Sequence, residues 1–163
     1  MAGIVLADAS PLIVLARVDG LGWLESLFGQ VHVPQAVRRE VLPGEDRAGE
    51  PEIRAAIEKG TLVLMRGEKK SPLFPHLGEG EAACLREALR HNGPALLLID
   101  DRAGRATAQE HGLQVAGTAA VVAMAKRKQL IPSATAVFER LLQMDFRISA
   151  AVIRTALEAA GER

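Results

Sequence analysis

Residues 95–99, Ala-Leu-Leu-Leu-Ile, are aliphatic without alternation and end directly on Asp100-Asp101. A short, continuous apolar run of this kind reads as a strand buried on both faces, as in a parallel sheet flanked by helices. The chain opens the same way, with Ile4-Val5-Leu6-Ala7 running into Asp8. Such a sequence has to place carboxylates at the carboxyl rim of a buried sheet, where open α/β sheets bind their ligands. Adjacent like charges repel, so the rim calls for compensation by a cation, a metal ion or water.

The remaining pattern alternates strands with helices. Ser10 reads as a helix cap with Pro11 at the first helical position. A second helix follows Gly20, Val31-His32-Val33 is a short strand, and Pro34 opens a helix carrying Ala36, Val37 and Val41. A polar loop spans Pro43 to Pro51, a helix runs from Glu52 to Lys59, and Leu62 to Met65 is a strand. It is followed by a loop of mixed charge with Arg66, Glu68, Lys69 and Lys70. Gly78-Glu79-Gly80-Glu81 is a turn leading into a helix to about Arg90. Beyond the strand at 95–99, the expected elements are a helix over about 102–111, a weak strand at Leu113-Gln114-Val115, and helices over 118–128, 133–143 and 149–160. This order predicts a parallel sheet with helices on both faces.

At 163 residues the chain has the size of one domain. It is 48% hydrophobic with zero formal net charge, so compositional disorder is excluded and any polyanion must be held by a local basic patch. Aromatics amount to 3%, too few for an extended base-stacking platform. The single Cys84 allows no internal disulfide and fits a buried, inert thiol in a reducing compartment. No basic region precedes the first apolar run and no run is long enough to span a bilayer, so the expectation is a cytoplasmic protein without a membrane segment.

Five acids stand at element ends: Asp8, Glu40, Glu81, Asp100 and Asp101. If the first and fourth strands are neighbours, Asp8 and Asp101 meet at one rim. Local readings remain open for most of them. Asp8 and Glu81 also suit the positive end of the helices they precede or begin, and one member of the Asp100-Asp101 pair suits an N-cap. Glu40 lies near a helix C-terminus, which disfavours a negative charge, so it has no such local reason beyond a solvated place beside Arg38 and Arg39. Converging carboxylates suit Mg²⁺ or Mn²⁺, which lower the pKa of bound water and offset charge on a phosphate. The scattered His32, His76, His91 and His111 read as surface-like and do not have zinc spacing. No phosphate loop, dinucleotide fingerprint or nucleophile elbow is present.

Several segments in order resemble the PIN domain, and within it the DUF3368 group. They are Asp8-Ala9-Ser10-Pro11-Leu12-Ile13, Val33-Pro34 with Val37 and Glu40, and Leu77-Gly78-Glu79-Gly80-Glu81-Ala82. Leu97-Leu98-Ile99-Asp100-Asp101-Arg102 with Gly104-Arg105 follows, then Gly117-Thr118, Lys126, Phe146-Arg147-Ile148-Ser149 and Ala160-Gly161-Glu162. The resemblance implies a three-layer α/β/α PIN-like fold, a single domain over residues 1–163, with a central, mostly parallel sheet of four to five strands. It also implies an Mg²⁺/Mn²⁺-dependent ribonuclease related to the toxins of VapBC-type pairs, with RNA as substrate, a small antitoxin as partner and a homodimer as the assembly. Asp8, Glu40, Glu81 and Asp101 match the catalytic acids; Asp8, Glu81 and Asp101, with Asp100 beside them, match the metal ligands. Ser10, Arg102, Arg105, Thr118 and Lys126 are then the candidates for substrate contact, with Arg127 and Lys128 close by. Ion pairing of the arginines with the same acids is the competing reading.

Arg105 stands near the place where many PIN nucleases carry a further acid, which counts against a full two-metal site. That departure motivates the alternative of a catalytically inactive PIN-like module that binds nucleic acid or protein. A receiver-like signalling domain fits less well, because its acid pair follows the first strand. The apolar stripe Ile153, Ala156, Leu157 and Ala160 suits core packing, a partner or a second copy.

Overall fold

The structure, a computed structural model, describes residues 3–67 and 73–162. Glu68, Lys69 and Lys70 of the expected charged loop lie outside the described residues. The strands β1 (Ile4–Ala7), β2 (Val31–Val33), β3 (Leu62–Leu64), β4 (Ala95–Leu98) and β5 (Gln114–Ala116) form one sheet in the order β3-β2-β1-β4-β5. Every pairing is parallel. The two aliphatic runs are neighbours at its centre, with Ile4 opposite Ala95 and Ala7 opposite Leu98. All five strands therefore end at one rim, and the acids that follow β1 and β4 arrive there together.

Around the sheet lie α1 (Ala9–Arg17), α2 (Leu21–Phe28), α3 (Gln35–Val41), α4 (Glu50–Lys59), α5 (Glu79–Arg90), α6 (Arg102–Glu110), α7 (Thr118–Arg127), α8 (Ala134–Gln143) and α9 (Ala150–Ala159). The architecture is the expected three-layer α/β/α fold. One core cluster joins the sheet to its flanking helices through Leu6, Leu12, Leu85, Leu97 and Ile99, all fully buried. A second cluster joins α1 to the last three helices through Val18, Val122, Phe138, Leu141 and Ala156. The consecutive C-terminal helices thus complete a core. Of the stripe on α9, Ala156 and Ala160 are buried in that cluster, and Ile153 and Leu157 pack against it.

Several expected boundaries shift. Ser10 does not cap α1; Asp8 occupies the N-cap position, because β1 passes into the helix with no loop between them. Pro11 still falls in the first turn, where its missing N–H is not needed. Helix α4 begins at Glu50, ahead of the expected start, with Pro51 in its opening positions. The glycine-rich turn belongs largely to α5, with Gly78 as the N-cap and Gly80 and Glu81 inside the first turn. Among the described residues no helix is long and apolar enough to cross a membrane.

Candidate metal and substrate site

The rim is built by backbone pairing before any side chain takes part. The Asp8 N–H donates to Leu98 O at 3.0 Å, and the Ile99 N–H donates to Ala116 O at 3.1 Å. These bonds carry the sheet beyond the formal strand ends and fix Asp8 beside the Asp100-Asp101 doublet. Helices α3 and α5 pack against one another, which brings Glu40 and Glu81 to the same place.

Two glycines leave the acids room to approach. A Cβ placed on Gly80 would lie 2.7 Å from Asp8 Oδ1 and 3.0 Å from Glu40 Oε1, so these two oxygens face one glycine-sized gap. A Cβ on Gly104 would lie 2.6 Å from Glu81 Oε2 and 3.1 Å from Ile99 Cγ2. Neither glycine was among the expected site residues. The usable signal was a glycine within a helix next to an acidic segment, where alanine is the better helix former.

The electrostatics follow from this crowding. Burial, supported by the charges of Glu40, Asp100 and Asp101, pushes the Asp8 carboxyl up to about 6, although the Ala9 N–H opposes it. Glu81 is pushed up to about 7, first by burial, then by the neighbouring Asp101 and Asp8 charges and by a side-chain hydrogen bond with Asp101. Glu81 Oε2 is buried with no hydrogen-bond partner among the described residues. A buried, unpartnered carboxylate oxygen amid like charges is costly unless a proton or a cation neutralises it.

The doublet divides its duties. Asp101 caps α6, its Oδ2 accepting the Gly104 N–H at 3.0 Å, and its carboxylate also faces Glu81. Capping and membership of the acid cluster, open alternatives in the sequence, are here compatible. Asp100 instead reaches α7: its Oδ1 accepts the Thr118 N–H and its Oδ2 the Thr118 hydroxyl, each at 2.7 Å. The Ser10 hydroxyl donates to Asp100 Oδ2 at 3.4 Å. Thr118, expected at the substrate, is fully buried and spends its polar groups on Asp100.

Among the described residues, no three His, Cys, Asp or Glu side chains form a ready metal-holding group. The four carboxylates are neighbours that do not converge on one point. The donor set is nonetheless all hard oxygen, one oxygen lacks a partner, and two acids hold their protons unusually tightly. These properties fit a hard divalent cation.

The basic residues separate. Arg102 is exposed at the first turn of α6, and Arg105 lies half-buried with its Nη1 near Gly117. Neither has an ion-pair partner among the described residues, so pairing with the acids is not what is seen. Lys126 lies eight residues along α7 from Thr118, about 12 Å by helical rise. Its Nζ donates to Pro132 O at 2.8 Å and lies 3.8 Å from Glu162. Arg127 donates to Ala159 O at 2.8 Å. These two join α7 to the C-terminal segments.

Of the histidines, His76 and His111 are exposed, as expected, and His32 and His91 are half-buried. His76 Nε2 pairs with Thr107 Oγ1 at 3.1 Å, His111 Nδ1 pairs with Thr107 O at 2.9 Å, and His32 Nδ1 is buried without a hydrogen-bond partner among the described residues. Cys84 is fully buried, and its thiol is pushed well up by that burial.

Two comparisons bear on this geometry. The model of the family described as DUF3368, PIN domain, matches residues 4–162. Among curated proteins no match to the chain was found.

Proposed function

The chain belongs to the PIN domain family, whose members are generally nucleases, and from that premise we propose that it is a divalent-metal-dependent endoribonuclease. The observation that carries the reading is the crowding of carboxylates at the rim: Asp8 Oδ1 and Glu40 Oε1 meet at Gly80 and the buried Glu81 Oε2 lies against Gly104, with burial and like charges raising the Asp8 and Glu81 carboxyls to about 6 and 7. A cation of charge two is the species that would let this cluster ionise. Asp8, Glu81 and Asp101 would hold it, with Glu40 ligating or orienting water and Asp100 fixed behind them by Thr118 and Ser10. A bound Mg²⁺ or Mn²⁺ would supply an acidified water and offset charge on the phosphodiester. The protein's own part is positioning: Arg102 and Arg105 take the phosphates flanking the acids, and the aliphatic strands beneath hold the buried Asp8 at the rim.

The toxin of a toxin–antitoxin pair is the physiological role we attach to this activity, with a small antitoxin as partner and a homodimer as the working assembly. Cleavage of single-stranded RNA is expected with Mn²⁺ or Mg²⁺, to be lost in EDTA and in Asp8→Asn. Wild-type rates from Asp8→Asn with Mn²⁺ present would sink the assignment.

A second reading, an inactive PIN-like module that binds nucleic acid or protein, draws on one observation: the carboxylates do not converge. Calorimetry with millimolar Mn²⁺ separates the two, since the module gives no heat of binding while remaining folded.

A further inference from the structure

Beside the acids, α7 and α9 enclose a groove of about 590 Å³ that the proposed chemistry leaves unused. Its floor is apolar, made by Ala120 and Met124 of α7, Val152 of α9, and Phe146 and Ile148 of the segment before α9. Val152 is 42% exposed, unusual for a valine beside a core. Arg105 and Arg147 lie along its lining, and neither has an ion-pair partner among the described residues. Asp100 is the one acid in the lining among the described residues, and its carboxylate is engaged by Thr118.

The groove and the acid cluster meet at Gly117. A Cβ there would lie 2.9 Å from Asp100 Oδ1 and 3.2 Å from Arg105 Nη1. Gly117 has φ −92°, which any residue adopts, so its backbone does not demand glycine. The missing side chain lets the Asp100 carboxylate and the Arg105 guanidinium close in on the backbone at the edge of the groove.

We propose that this groove is a nucleobase subsite for the RNA strand whose backbone crosses the acids. The proposal rests on the ribonuclease reading and deepens it. The groove adjoins the acids through Asp100, which lines it and follows β4 beside the end of β1 that carries Asp8. An unpaired base needs an apolar surface and an aromatic or guanidinium plane, and its flanking phosphates need cations. The floor with Phe146 supplies the first and Arg105 with Arg147 the second. An acidic amphipathic peptide would satisfy the same charges, but nothing in it requires continuity with the acids.

The test uses the full chain and a fluorescein-labelled single-stranded RNA, read by anisotropy in EDTA and by cleavage in Mn²⁺. Arg147→Glu and Val152→Asp change exposed side chains and should leave the fold intact by circular dichroism. Each should weaken RNA binding by about tenfold and raise KM with little change in kcat. Photo-crosslinks from a 4-thiouridine strand should fall on residues 144–152. Wild-type affinity and KM in both groove variants, with cleavage intact, overturns the subsite and leaves the nuclease reading standing. Loss of self-association without loss of RNA binding assigns the groove to a second copy and likewise overturns it. Wild-type protein that binds the RNA in the groove but never cuts it overturns the nuclease reading alone.

Discussion

Asp100 grips Thr118 with both carboxylate oxygens, one on the backbone N–H and one on the hydroxyl, at 2.7 Å each. The contact ties the end of β4 to the start of α7, and because Thr118 is fully buried it does so out of water. A carboxylate occupied in this way is a poor first choice as a cation ligand. Asp101, which caps α6 through one oxygen and faces Glu81, is the better one.

Thr118→Val keeps the shape and deletes the hydroxyl. Hydrogen bonds to a charged group contribute about 1.5–3 kcal/mol, so urea unfolding should report a loss of that size. Mn²⁺ titration should show a clear weakening in Asp101→Asn and little change in Thr118→Val, whose partner Asp100 is not among the proposed ligands. Equal Mn²⁺ affinity in Asp101→Asn and wild type would contradict this division of labour.

The pH response without metal follows from the sign of the shifts. Asp8 and Glu81 hold their protons more tightly folded than unfolded, with values near 6 and 7 against ordinary values of 3.8 and 4.5. The folded state therefore binds more protons between these limits, and stability falls as pH rises through that window. Below about pH 4 this contribution is fully present. Asp8→Asn should melt close to wild type at pH 4.5 and at higher temperature at pH 8, in EDTA, a difference on the order of 2 kcal/mol. Saturating Mn²⁺ should stabilise wild type at pH 8 and leave the variant's melting temperature nearly unchanged. A wild type that is more stable at pH 8 than Asp8→Asn in EDTA would refute the crowding.

Gly104 offers a test that touches no charge. Alanine inside a helix normally stabilises by about 1 kcal/mol relative to glycine. Here the added methyl would meet Glu81 Oε2 at 2.6 Å and Ile99 Cγ2 at 3.1 Å. Gly104→Ala should therefore lower stability despite the better helix former, and displace Glu81 enough to depress Mn²⁺ affinity. An exposed control, Gly22→Ala, meets nothing within 4 Å and should show the ordinary gain.

How much of this was legible in the sequence depended on the range of each signal. The aliphatic runs ending in Asp8 and in Asp100-Asp101 are local, and they fixed the central strand pair and the position of the acids. The Ser10 cap was misplaced because strand and helix abut, so the residue ending the strand also begins the helix. Asp100 bonding to Thr118 joins two elements, and no periodicity records such a pair. Lys126 looked like a phosphate contact because its partners, Pro132 and Glu162, lie in separate segments of the chain. Gly80 and Gly104 read as ordinary glycines until the carboxylates beside them were placed.

The chain's last described residue has a structural role of that long-range kind. The Glu162 carboxylate accepts the N–H groups of Ala134 and Thr135 at 2.7 and 3.1 Å and the Thr135 hydroxyl at 2.7 Å. It serves the N-terminus of α8 from the far end of α9, alongside the local cap Ser133, whose hydroxyl accepts the Ala136 N–H at 3.1 Å. These donors hold its carboxyl down at about 2, with Lys126 assisting. The folded-state value lies below the unfolded one, so this contribution is present above about pH 4.5 and is lost as pH falls toward 2. Glu162→Ala should cost about 1–2 kcal/mol at pH 7, the range for losing a cap. The deficit should shrink on acidification, opposite in direction to the Asp8→Asn effect. Because Glu162 lies on the C-terminal core and away from the acids, Mn²⁺ affinity should be unchanged. Urea melts of Glu162→Ala at pH 7 and pH 3 check the first point, and calorimetry the second; an undiminished deficit at pH 3 would show that the carboxylate's charge plays no part.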